Sequence, residues 1–191
     1  MAEIPAGRTR LNRAERREQI VVAAASVFAG RDPAGVTFEE IAEAAGVSRA
    51  LVYNYFGDRN GLLEAVYRRA VSELGARVTA AVVSADDRRN ALRRAVEAHL
   101  AYARSDPAGY RYASGEATFA QLPRLHADRV RATARSLGGA PESEVLATAV
   151  LAVVHASVLQ WLERPTLPED RLVEVLTEFL GGGLGAVPAT V

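Results

Sequence analysis

Residues 37–63 read TFEEIAEAAGVSRALVYNYFGDRNGLL, and the punctuation in this stretch decides the fold. Thr37 stands three positions before Glu40. At that spacing a threonine hydroxyl accepts from a free amide of the first helical turn while the glutamate reaches back to the threonine amide. This capping box predicts a short helix from Phe38 to Ala45. Gly46 supplies the left-handed backbone that ends it, and Ser48 is placed to cap a following helix that runs to about Phe56. Gly57 and Asp58 repeat the stop and cap before a long helix expected to pass Tyr67 towards Val83. Two short helices joined through one glycine have the proportions of a helix-turn-helix, with Ala42 small enough for close approach and Ile41, Val47 and Val52 spaced to fill the core beneath. Spacing alone serves an ordinary helical hairpin equally well.

Upstream, Asn12 and Glu15 open a helix with Ile20, Ala24, Val27 and Phe28 on one face, and Gly30 ends it before a loop through Asp32, Pro33 and Gly35. Downstream, Asp86 or Asp87 begins a helix that Ser105, Asp106 and Pro107 end. A less regular stretch is expected from Ala108 to Gln121, then helices over roughly 122–137, 141–163 and from Pro168 to the glycines 181–183. No alternating pattern bounded by hairpin turns stands out, so the fold class is all-α. The expected divisions are a flexible basic arm (1–12), a three-helix helix-turn-helix domain (13–58), a helical domain (59–183) and a tail (184–191).

With 23 basic and 23 acidic residues the net charge is zero, so a surface for nucleic acid must be local rather than a property of the whole molecule. Arg8, Arg10, Arg13, Arg16 and Arg17, opposed only by Glu15, form such a concentration. A solvated tail and an arm lying along a duplex both suit them. The absence of cysteine excludes disulfides and thiolate metal sites, and three histidines without paired spacing offer no metal centre; no cofactor is expected. No secretory segment or long uncharged apolar run stands out, and a cytoplasmic protein without membrane contact is expected.

From Thr37 through Leu63 the sequence resembles the DNA-binding domain of the tetracycline-repressor family: the threonine-capped helix, the GVS turn, the aromatic end of the next helix and the short step into the long one. The likeness covers roughly Arg13 to Ala70 and fades beyond. It implies a recognition helix in which Ser48 caps and Arg49, Ala50, Leu51 and Asn54 face base edges, arginine suiting guanine, asparagine adenine and the apolar groups a thymine methyl. Thr37, Tyr53, Tyr55 and Arg59 match family positions that contact or border phosphates, with Arg59 where the family usually has lysine. Glu39, which phosphate would repel, is expected either to accept from a cytosine amino group or, preferably, to face away from DNA. The resemblance further implies a two-fold homodimer reading the halves of a palindromic operator and a small-molecule effector bound among the central helices.

For that effector the candidate residues are His99, Tyr102, Tyr110, Tyr112, Phe119 and His155, aromatic walls with polar handles, although a lone histidine on an apolar stripe equally suits a hydrogen-bonded core. The helix over 141–163 is apolar on two sides, so it needs two partners; Val150, Val154 and Trp161, with Val175 and Phe179 of the last helix, are the expected dimer contacts. A ligand-responsive regulator, a repressor by family habit, is the leading reading. An architectural DNA-binding protein without effector and, far behind, an enzyme using His99 or His155 with Glu97 or Glu116 are the alternatives.

Overall fold

The computed structural model describes residues 11–29, 31, 35–114 and 122–185. Among them are nine helices and no strand: α1 Arg13–Phe28, α2 Phe38–Ala45, α3 Arg49–Phe56, α4 Arg59–Val82, α5 Arg88–Ser105, α6 Pro107–Ser114, α7 Pro123–Ser136, α8 Pro141–Glu163 and α9 Glu169–Gly185. They form two compact units, Met1–Leu63 and Glu64–Val191, so the division falls inside α4 rather than before it.

In the first unit local chemistry sets every boundary. Asn12 and Thr37 each make a complete capping box, with Glu15 and Glu40 respectively, and the Ser48 hydroxyl accepts from the Leu51 amide at 3.2 Å. Gly46 ends α2 at φ 63° and ψ 37°, a left-handed conformation that glycine adopts without strain. The helices close over Ile20, Phe28, Val36, Ile41, Val52 and Leu62, all essentially without solvent contact. Two polar ties reinforce this core: Gln19 Nε2 donates to the Ala45 carbonyl at 2.8 Å, and Arg59 Nη2 donates to the Val36 carbonyl at 2.7 Å.

In the second unit α5 is the central helix, packed against α9, α6 and α8, while α7 lies against α8. The part of α4 within this unit is pinned to the end of α5, where the Arg77 guanidinium sits 5.0 Å from the Tyr102 ring centre and Arg69 lies 3.7 Å from the Asp106 carboxylate.

Three expectations are corrected. The stretch from Ala108 is regular as far as Ser114: Pro107, read as a stop for α5, is also the first residue of α6, where its fixed φ suits a helix and Asp106 Oδ1 accepts from the Gly109 amide at 2.8 Å. The last helix does not stop at Gly181 but runs through three glycines to Gly185, because Leu180 and Leu184 on either side are buried. Finally, a long uncharged apolar run does exist: Glu142–Glu163 has mean hydropathy 1.9 in its best window and meets the length and composition of a membrane span. It is α8, packed in a helical bundle against α5, α6, α7 and α9.

Candidate DNA-reading surface and effector cavity

The exposed face of α3 is built by its periodicity. Val52 and Phe56 turn inwards, which leaves Arg49, Ala50, Tyr53 and Asn54 in solvent beside the capping Ser48. Leu51 and Tyr55 are half-buried at the margins of that face. Tyr53 is held by the Phe38 ring of α2, whose centre lies 4.5 Å away, and its hydroxyl accepts from Arg49 Nη2 at 3.2 Å. Arg49 also pairs with Glu39 of α2, so Glu39 lies beside the exposed face of α3. The hydrogen bond that Arg49 donates to Tyr53 and the charge of Glu39 hold the guanidinium even more firmly protonated than usual. Thr37 is exposed at the start of α2, where its backbone amide, Arg31 and its own hydroxyl hold the Glu40 carboxyl down to about 2. Arg59 is engaged by Val36, so its first role is to fix the loop before α2 to the first turn of α4.

The second unit contains a cavity of about 840 Å³, within the usual range of small-molecule sites. Val71 and Leu74 of α4, Leu92 of α5, Leu151 and Val154 of α8 and Leu180 of α9 give it an aliphatic wall. His99 and Arg129 also line it. His99 Nδ1 bonds the Tyr110 hydroxyl at 3.1 Å, the ring centres of His99 and His155 are 5.3 Å apart, and Arg129 Nη2 stands 2.7 Å from His155 Nε2. An arginine only donates, so Nε2 of His155 accepts and its ring proton sits on Nδ1. Burial, and then the Arg129 charge, pull His99 down to about 3 and His155 well below its ordinary range, so both rings are neutral at pH 7. A smaller recess of about 210 Å³, lined by His126, Thr148 and His155, shares Arg129 and Leu151 with the large cavity.

The profile of bacterial regulatory proteins of the tetR family matches residues 20–66. Over 95% of this chain and 88% of the relative, the sequence is 34% identical to the HTH-type transcriptional activator FasR of Mycolicibacterium smegmatis. The chain belongs to the TetR family. A solved TetR-family regulator from Streptomyces coelicolor superposes with a TM-score of 0.70 at 25% identity, covering 90% of this chain and 81% of the other. The fatty acid degradation regulator FadR of Bacillus halodurans, at 16% identity, shares the fold with a TM-score of 0.73 over 90% of this chain and 96% of its own. A TetR-family member of this architecture is a DNA-binding transcriptional regulator with an N-terminal helix-turn-helix.

Within this TetR-family frame the structure divides the residues singled out beforehand. His99 lines the large cavity and His155 the small one, whereas Tyr102, Tyr110 and Tyr112 are buried and line neither; Phe119 lies outside the described residues, as do the arm residues 1–10 and the tail beyond 185. Among the described residues the cavity wall is therefore mostly aliphatic, with His99 as its aromatic member. Val150 and Val154 of the expected dimer set face the cavity, and Trp161 is half-buried with its Nε1 donating to the Leu167 carbonyl at 2.7 Å. Val175 and Phe179 do stand outside, 41% and 64% exposed, and on α8 the outward apolar positions are Val145, Ala149, Ala152 and Ala156. Glu97, offered as a catalytic acid, points to solvent and pairs with Arg93; Glu116 lies outside the described residues. The residue missed altogether is Arg129. Its signal is a charge on the apolar face of α7, between His126 and Thr133 and beside Val130, where a solvated arginine has no reason to be.

Proposed function

We propose that this TetR-family regulator reads a palindromic operator as a homodimer and that a small molecule bound in the second unit changes its hold on DNA. The observation that carries this reading is the 840 Å³ cavity, since its wall includes Val71, Leu74 and Val78 of α4, the helix whose first turn belongs to the DNA-reading unit. A ligand that favours a different tilt of α4 acts on both units through one element, by no more than its difference in affinity for the two states. An architectural protein without effector has no use for such a void, which forgoes packing contacts. Dimerisation through α8 and α9 is supported by the outward apolar set Val145, Ala149, Ala152, Val175 and Phe179. Such a regulator works at the chromosome, in the cytoplasm.

In the first reading the protein is a repressor released by its effector. A second reading has a specific basis: the relative that matches 95% of the chain, FasR, bears the name of a transcriptional activator. Selection of bound duplexes from random DNA, followed by sedimentation of the complex, tests the shared part of both; the expected product is an inverted repeat bound by two or four copies. A reporter placed behind the selected operator separates the two, its output rising on deletion of a repressor and falling on deletion of an activator. Sequence-independent binding by a single copy would overturn the proposal.

A further inference from the structure

Arg129 is a half-buried cation, and among the described residues it has no acidic partner. Among the described residues its one hydrogen bond goes to the neutral ring of His155, and no aspartate or glutamate lines either the large cavity or the small recess. A guanidinium carries five N–H groups in a planar fork. One is engaged by His155, and Arg129 lines both the cavity and the recess. Beside it the buried Tyr67 hydroxyl, which feels the Arg129 charge, has no hydrogen-bond partner among the described residues. A charge left uncompensated in such surroundings is unfavourable, and a ligand that supplies the opposite charge relieves it. The wall of the large cavity is mostly aliphatic, with Thr79, Arg88, Thr133 and Ser136 as further polar members, which suits a ligand whose remaining surface is mainly apolar.

We propose that Arg129 is the anion-binding residue of the effector site, and that the effector is an amphiphile whose compact acid group, carboxylate or phosphate, meets Arg129 while its apolar chain fills the cavity. The proposal rests on the effector reading above and adds the charge and polarity of the ligand. The planar fork suits either acid bidentately, and the low polarity of the surroundings strengthens the pairing. Arg88 also lines the large cavity but is exposed to solvent, whereas the buried histidines stay neutral beside Arg129, and His155 orients the guanidinium.

The test uses the full chain and three probes of equal chain length, dodecanoate, dodecyl phosphate and dodecan-1-ol, titrated calorimetrically below their aggregation limits. One or both acids are expected to bind roughly tenfold or more tightly than the alcohol, and the better of the two identifies the head group. In Arg129→Gln that preference should vanish while the alcohol binds as before. The ligand-free variant should melt no lower than the parent, a readout that a purely structural arginine would move the other way. Arg129→Lys keeps the charge without the fork and should recover part of the preference. Acid binding unchanged in Arg129→Gln would overturn the anion site and leave the effector reading standing. Failure of all three probes to bind would overturn the proposed ligand class, and the effector reading would then be judged separately, by release of the selected operator with other compounds.

Discussion

Glu39 has a consequence for DNA affinity that its position on α2 alone does not suggest. It is paired with Arg49 on the surface proposed to read DNA, so a duplex docking there must separate Arg49 from it and meet a carboxylate near its phosphates. Glu39→Gln is expected to raise affinity for all duplexes by about two- to fivefold with no change in base preference, read by titration at fixed salt. Asn54→Ala, in contrast, should relax preference at one base pair at a cost of about 1 to 3 kcal/mol. The histidines give a second residue-scale outcome. His99 is held at about 3 against an ordinary 6.5, so between those values the unfolded chain binds a proton that the folded chain refuses. Stability present above pH 6.5 is therefore lost as pH falls, at up to about 1.4 kcal/mol per pH unit for one such site. Denaturant titrations at pH 7 and pH 5 should show the loss, and His99→Gln should reduce it; the Glu40 carboxyl, held at about 2 against an ordinary 4.5, adds its own loss mainly below pH 5. Caps such as Thr37 and Ser48 were legible in the sequence because their chemistry is local. The partners of Arg49 and Arg129 were not, because each comes from a different helix.

Among the elements, α2 and α3 illustrate a boundary written entirely in short-range signals, and Gly61 shows what such signals omit. Its place is in the first turn of α4, where a Cβ would collide with the Phe56 carbonyl at the end of α3. Because the obstacle is backbone and cannot swing away, Gly61→Ala should cost about 1 to 3 kcal/mol. Gly75, further along α4 with no atom within 4 Å of a built Cβ, is the control: Gly75→Ala should raise stability by about 0.5 to 1 kcal/mol. Thermal melts of the two variants against the parent decide the matter, and a harmless Gly61→Ala would contradict the packing described. On α8 the sequence misled in phase. The helix is apolar at nearly every position, so periodicity cannot say which stripe is inside. Val150 and Val154 face inwards towards the cavity, and the outward stripe is marked by small alanines rather than by large residues. On α6, Pro107 carried two messages, stop and start, and only the first is readable without knowing that Tyr110 and Tyr112 are needed in the core.

For the molecule as a whole, the outward apolar residues of α8 and α9 make a direct claim about assembly. Phe179, 64% exposed, belongs to a stripe with Val175, and Phe179→Glu is expected to shift the protein from dimer to monomer in sedimentation and to weaken operator binding through loss of the second reading head. A dimer that persists would move the interface elsewhere. The fold class was readable from helix signals alone, and the head from its resemblance to a known family. The cavity was not, because emptiness is what five helices leave between them and no single segment encodes it. Trp161 offers a way to watch these parts separately. It is the only indole in the chain, it lies on α8, and its Nε1 is tied to the Leu167 carbonyl. Intrinsic emission excited at the indole band thus reports on Glu64–Val191 alone, while far-ultraviolet circular dichroism sums the helices of both units. Two melting curves recorded by these methods will coincide only if the units unfold together, and any gap between them measures how far α4 couples one to the other.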